Sequence, residues 1–325
     1  MDHDAGTDGA AARSAPETAT DEKEIDGIMT TELKSAVERR GQKPPKRLQI
    51  FYHPKVEGSD TFAREMANHL QRLSIQTEVA SIMDDEARAH LPEYDMIVIV
   101  GGDGTMLRGG CMAAMQSVPV IGVNYGRLGF LAEVQPNEWK GVLARILVGD
   151  YWLEERTMLH VEHFHDDEKF NTAEVLNEAV VSRGALARPI RLRTWVDGDD
   201  LTTYVADGLI VATATGSTAY ALAVGGPILP PELKDILIVP IAPHLCIERA
   251  IVLSHGSTLK ILVRTEHQAI LSADGQMEVP LQDGDHVIVH KSEFVTRFVR
   301  VQEPTYFYRN LNSRMSQNPS ADKAK

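Results

Sequence analysis

The amino-acid sequence predicts an α/β open-sheet domain followed by a β-rich domain, and three observations carry that reading. Residues 96–100 (MIVIV) are wholly apolar, as a central strand of a parallel sheet must be when both its faces are covered. Apolar residues at Phe62, Met66, Leu70 and Leu73 keep a helical spacing between two strand-like segments. From about Tyr151 the texture changes to many short strand-like runs separated by Gly, Asp and Pro turns.

Taken in order, residues 1–26 are Ala, Thr, Asp and Glu with almost no large apolar side chains, so they cannot offset the entropy of ordering and read as a disordered acidic tail. Residues 27–47 read as a linker whose scattered Lys and Arg are solvated. An α/β domain follows over 48–150. Its strands are LQIFYH at 48–53, IQTEVA at 75–80, MIVIV, and VPVIGV at 118–123, and a helix is expected over 60–73. The β-rich domain spans 151–301, and residues 302–325 read as a C-terminal tail.

Composition narrows the function. The chain of 325 residues has a formal net charge of −13, and residues 1–26 hold eight acidic and two basic residues, so nearly half the excess sits in that segment. Nucleic-acid affinity is built from clustered Lys and Arg, which argues against a general nucleic-acid binder. No apolar run is long enough for a membrane span, and the N-terminus has no apolar stretch of secretory type, so neither membrane nor export is expected. Two cysteines, Cys111 and Cys246, lie far apart, which fits a reducing compartment; the cytoplasm is the expected location. An acidic protein that handles anions needs local positive potential from backbone amides, a few arginines or a divalent cation.

The strongest local feature is Gly101-Gly102-Asp103-Gly104-Thr105, directly after the apolar strand. It puts a carboxylate at the carboxyl end of a central strand, where open α/β sheets bind ligands, and glycines let backbone approach a substrate closely. A chemically silent Gly-Asp turn is the plain alternative. There is neither a GxxxxGK[ST] loop nor the HRD and DFG set, so a different phosphate-handling architecture is implied. The histidines of HVEHFH are potential metal ligands, but on a strand His163 and His165 share one face and His160 the other, and solvated or half-buried histidines are the better reading than a metal site.

The GGDGT segment resembles the superfamily that includes NAD kinases, lipid kinases and 6-phosphofructokinases, and further motifs point to the NAD kinase family. Residues 122–132 (GVNYGRLGFLA) resemble that family's next loop, with Phe130 where an aromatic stacks on the nucleotide. Asn177-Glu178 is similar to its dinucleotide-holding pair; because strand neighbours point to opposite faces, both can reach one ligand only at a bend or strand end. The run from Asp207 through TGSTAY to Gly225-Gly226-Pro227 resembles the longest family signature. It departs from the pattern at Ala214, where Pro is usual, and at Ala223, where Ser is usual; further on Ala250 replaces a Pro. Pro243-His244 with Arg249, and Ala273-Asp274-Gly275-Gln276, resemble later elements.

The resemblance implies an NAD kinase/diacylglycerol kinase-like fold and Mg²⁺-dependent phosphoryl transfer from ATP or polyphosphate to the adenosine-ribose 2′-hydroxyl of NAD, giving NADP. It also implies that Asp103 is the catalytic carboxylate. Gly104 would face the ribose beside it, and Arg108 a phosphate. Asn177, Glu178, Asp207 and the stretch Thr218, Ala219, Tyr220, Ala221, Leu222 and Ala223 would hold the dinucleotide, with Arg188 and Gln276 at outlying positions. No protein-held metal is implied; the cation would travel with the donor. A homo-oligomer, dimer or tetramer, is expected, because the family's sites can draw residues from a neighbouring subunit. Two other readings remain at this point: a lipid kinase of the same superfamily, and a dinucleotide sensor without catalysis.

Overall fold

The computed structural model describes residues 42–126, 129–244 and 247–316. The expected acidic tail 1–26, most of the linker 27–47 and Cys246 lie outside the described residues.

The first half is a parallel sheet. Strand β1 (Arg47–Tyr52) is followed by helix α1 (Ser59–Arg72), β2 (Gln76–Ser81), the short α2 (Asp85–Ala89), β3 (Met96–Gly101), α3 (Asp103–Met115), β4 (Val120–Asn124) and α4 (Trp139–Leu147). The strand order is β2-β1-β3-β4. Every residue of β3 is buried because alternate side chains feed different layers. Met96, Val98 and Val100 pack with Met66 and Leu70 of α1 and Leu143 of α4, whereas Ile97 and Ile99 pack with Met106 and Leu107 of α3. This two-sided burial is what the unbroken apolar run records.

The second half holds β5 (Trp152–His165), β6 (Glu168–Val175), β7 (Glu178–Arg183), β8 (Ile190–Val196), β9 (Asp199–Ala206), β10 (Gly208–Ala212), β11 (Ile236–Ile241), β12 (Ile251–Leu253), β13 (Leu259–Arg264), β14 (Ala269–Ala273), β15 (Met277–Leu281) and β16 (His286–Arg300). A 3-10 turn, Gly216–Thr218, and the four-residue α5 (Tyr220–Ala223) follow β10. Six of these strands form a sheet in the order β12-β11-β10-β7-β14-β15, and it packs on the other strands through Leu159, Val181, Leu192, Leu209, Ile261 and their neighbours.

The expected halves share a sheet. The long β16 pairs with β5 along most of its length and joins β4 at Phe298↔Val120, so a ten-stranded sheet runs from the α/β half into the β-rich half. The stretch from residue 302, expected as a tail, is not one throughout: Tyr306–Ser316 forms helix α6, which buries Tyr306, Phe307 and Arg314. Its Tyr and Arg side chains complete a polar network that would otherwise hold buried charge, and that packing outweighs the chain's terminal position.

Candidate active site

Asp103 is the first residue of α3, just beyond the carboxyl end of β3. Its carboxylate accepts hydrogen bonds from the amides of Phe130 at 2.7 Å and Leu131 at 3.2 Å. Gly129 makes this approach possible: a Cβ there would lie 2.0 Å from Asp103 Oδ1. A Cβ on Gly104, by contrast, would meet nothing within 4 Å, so that side of the loop is open. Carboxylate oxygens have about four lone-pair sites between them, and two amides leave room for an incoming hydroxyl.

A cavity of about 250 Å³ opens here. Asp103, Gly104, Phe130, Asn177, Thr218 and Ala219, six of the residues singled out from the sequence, line it together with Leu107, Leu131 and Thr215. Three larger hollows, of about 550, 470 and 470 Å³, lie elsewhere on the surface and contain no residue of the glycine loop. Chemistry, not size, selects the smaller one: it alone of the four joins a strand-end carboxylate to the hydroxyl-rich turn.

The bend that Asn177-Glu178 requires is present. Strand β6 ends at Val175 and β7 begins at Glu178, leaving Leu176 and Asn177 between them. Asp274, in the turn between β14 and β15, holds this break: it accepts from the amides of Leu176 at 2.8 Å, Asn177 at 2.8 Å and Glu178 at 3.0 Å. Glu178 is buried and its Oε2 has no hydrogen-bond partner among the described residues. Burial first, and the Asp274 charge second, push its carboxyl up to about 8, against the pull of the Tyr220 amide. Asp274 is raised by burial too, but its three amide donors favour the ionised form, so the proton of this coupled pair sits on Glu178.

Much of the hydroxyl-rich turn is structural. Thr213 Oγ1 donates to Leu176 O at 2.6 Å, and Ser217 Oγ donates to Ala214 O at 2.6 Å while accepting from the Leu229 amide at 2.9 Å. Thr215 Oγ1 accepts from Arg156. Ala214 and Ala221 are buried in a small core, so any ligand contact of Ala221 is through its backbone. Tyr220 and Ala223 are exposed, and Leu222 is half-buried.

Other predicted residues lie apart within one chain. Glu178 pairs with Ala212 at one end of the β7–β10 ladder and Ser182 with Gly208 at the other, so Asp207, ion-paired to Arg183 at 2.9 Å, sits at the far end. Arg188 meets His267 at 3.2 Å beside a different hollow. Gln276 occupies the Asp274 turn, and Arg108 is half-buried on α3. None of these four lines the Asp103 cavity.

Behind the cavity lies a buried network that the motifs do not include. Arg300 donates to Leu131 O at 3.0 Å, and Arg314 of α6 donates to Phe130 O at 2.7 Å and Ala132 O at 3.4 Å. Glu154 accepts from Arg156, Arg300 and Tyr306. Burial works to raise the Glu154 carboxyl, but Arg300 and Arg156 outweigh it and hold it at about 2. The sequence does contain a signal for part of this: Glu154 and Arg156 alternate with Met158 on the buried face of a strand, an unusual place for charge.

A strand-end carboxylate held by two loop amides borders a cavity that Asn177, Thr215 and Thr218 also line, the arrangement expected of a phosphotransferase of the GGDGT kind. Comparison with known proteins fixes the family. Residues 20–151 match the profile of the ATP-NAD kinase N-terminal domain, and residues 176–301 that of the ATP-NAD kinase C-terminal domain. The NAD kinase of Chloroflexus aurantiacus is 36% identical over 270 residues, 83% of this chain and 98% of that protein. That of Heliobacterium modesticaldum is 40% identical over 264 residues, 78% of this chain and 93% of that protein. Among solved structures, yeast NADH kinase complexed with NADH aligns with a TM-score of 0.74 at 26% identity, covering 86% of this chain and 89% of that one. An Archaeoglobus fulgidus NAD kinase in complex with ATP aligns at 0.66 and 29% identity, covering 84% and 99%. The chain belongs to the NAD kinase family.

Proposed function

We propose that this protein makes NADP by transferring a phosphoryl group from ATP, or from polyphosphate, to the 2′-hydroxyl of the adenosine ribose of NAD. The observation that carries the assignment to a residue is the Asp103 carboxylate, fixed by two amides at the edge of a cavity that Asn177 also lines. A ribose hydroxyl is too weak an acid for a carboxylate to ionise in advance. In a loose phosphoryl-transfer transition state the nucleophile gives up its proton late, so Asp103 need only orient the hydroxyl and take the proton as the O–P bond forms.

Asn177 has both a donor and an acceptor for an adenine edge, and Glu178 lies beside it to receive ribose hydroxyls. The cavity is smaller than the roughly 300–1,000 Å³ of pockets that enclose a drug-sized ligand, so it accommodates the adenosine end and leaves the remainder outside. Asp207 and Arg188 lie away from the cavity of their own chain, and in the homo-oligomer that the family resemblance implies they would serve a neighbouring copy's ligand. The family generally depends on a divalent metal. Among the described residues Asp103 is the one carboxylate lining the cavity, which fits Mg²⁺ held chiefly by donor phosphates and water, where it would neutralise developing charge.

No described helix is long and apolar enough to cross a membrane; we place the enzyme in the cytoplasm on its sparse, separated cysteines. The test is formation of NADP from NAD, donor and Mg²⁺, read with an NADP-specific dehydrogenase. NAD binding with no NADP from ATP, other triphosphates or polyphosphate would mark a sensor, and phosphorylation of diacylglycerol or sphingoid bases without NAD binding a lipid kinase.

A further inference from the structure

The outer face of the β5–β6–β16 region carries a cluster that phosphoryl transfer does not use. His290 of β16 lies directly opposite His160 of β5, and His160 lies opposite Glu174 of β6, so the three form one row across adjacent strands. Glu162, two residues along from His160, shares its face. Ligand atoms of His160, Glu162 and His290 all fall within 4.8 Å of one another. His163 and His165, on the opposite face, are instead bound to Asp285 at 2.9 and 2.6 Å.

The hydrogen bonds fix the chemistry of both imidazoles. His290 Nδ1 lies 2.9 Å from the Lys291 carbonyl oxygen, which can only accept, so Nδ1 carries the hydrogen. His160 Nδ1 lies 2.6 Å from Glu174 Oε1, and an ionised carboxylate likewise only accepts. In each neutral ring the bare lone pair is therefore on Nε2. His160 Nε2 is 3.7 Å from Glu162 Oε1, which is too long for a hydrogen bond. Two imidazole nitrogens with free lone pairs, one carboxylate, and an outer carboxylate fixing the ring of His160 form the donor set of a zinc-type site with an open position. In the structure Lys169 of β6 contacts Glu162 and neutralises it.

We infer that His160, Glu162 and His290 form a binding site for one divalent transition-metal ion of the Zn²⁺ class, with Glu174 positioning His160. Imidazole donors select such an ion over Mg²⁺, so the site is separate in kind from the cation that accompanies the phosphoryl donor. It is separate in place as well: His160 lies four residues along β5 from Arg156, about 13 Å at the usual strand rise. Lys169 would be displaced from Glu162 when the ion binds.

The test uses the full-length protein, stripped with a chelator and titrated with Zn²⁺ against a chromophoric competitor, and separately with Co²⁺ for its visible spectrum. The site predicts one Zn²⁺ per chain, undisturbed by excess Mg²⁺, and a Co²⁺ spectrum of the intense four- or five-coordinate type. His160→Gln and His290→Gln should each weaken binding at least about a hundredfold, and Glu174→Gln about tenfold. Lys169→Gln should strengthen it, because a competing cation is removed; a scatter of surface histidines would not respond this way. Thermal melting checks that each variant is folded. Absence of stoichiometric Zn²⁺ binding to wild type, or binding that survives both histidine substitutions, overturns the site.

Discussion

Arg314 donates from Nη1 to the carbonyl oxygen of Phe130 at 2.7 Å, and the amide of the same Phe130 donates to Asp103 at 2.7 Å. The peptide units of one loop thus connect the C-terminal helix to the carboxylate proposed to react. With Arg300 on Leu131 O and Arg314 also on Ala132 O, three successive carbonyls are anchored by guanidinium groups, and two amides of that segment aim at Asp103.

Arg314→Ala should therefore lower kcat far more than it changes KM for NAD. A misplacement of about 1 Å at a reacting group can cost about a hundredfold in rate, and that is the size expected. Steady-state kinetics on the folded variant checks it, and Arg314→Lys, which keeps the charge but not the planar fork, should recover only part of the rate.

Glu178 predicts a proton linkage. Its folded carboxyl keeps its proton up to about 8, whereas the ordinary glutamate value is 4.5. Ribose hydroxyls that donate to Glu178 favour its ionised form, so NAD binding at pH 7 should release up to about one proton, and almost none well above pH 8. Calorimetry in buffers of different ionisation enthalpy measures this, and Glu178→Gln should abolish it. The same group affects stability with a definite sign. Its contribution is fully present below 4.5, declines as pH rises while only the unfolded chain ionises, and is lost above about 8.

Asp274→Asn tests the strand break. The variant replaces a charged acceptor of three amides with a neutral one, and a hydrogen bond to a charged group contributes about 1.5–3 kcal/mol. A loss of about 2–3 kcal/mol on denaturant unfolding is expected, with a raised KM for NAD. Removing the Asp274 charge should also let Glu178 ionise at lower pH, so proton release at pH 7 should shrink.

Glu154 anchors the buried arginines. Glu154→Gln leaves Arg156 and Arg300 buried without their carboxylate and should cost about 3–5 kcal/mol. Wild type should lose this contribution in acid: with the folded carboxyl at about 2, it is present above 4.5 and falls away as pH drops from there toward 2. Acid unfolding of wild type and variant should converge at the low end.

The α/β half was legible because hydrophobic periodicity is local: MIVIV marked β3, and the spacing of Phe62, Met66 and Leu70 marked α1 to within one residue at each end. Asp103 was legible for the same reason, as it directly follows that strand. The requirement for a bend at Asn177-Glu178 could be stated from strand geometry, but not that Asp274, 97 residues beyond Asn177, would hold it. Charge at Glu154 and Arg156 on a buried strand face was the one visible trace of the buried network; its joining to Arg300 and Arg314 was not legible, because Glu154, Arg300 and Arg314 are 14 to 160 residues apart and meet only through sheet pairing and a returning helix. Likewise, the cross-strand register of His160 and His290, rather than the HVEHFH run, brings those two rings together.

NADP formation by wild type and Asp103→Asn, with NAD binding measured on both, tests the role of Asp103 most directly. Wild type should turn NAD, phosphoryl donor and Mg²⁺ into NADP, and the variant should bind NAD comparably but lose about a hundred- to ten-thousand-fold in kcat. A variant that turns over near the wild-type rate would remove Asp103 from the chemistry and contradict the mechanism.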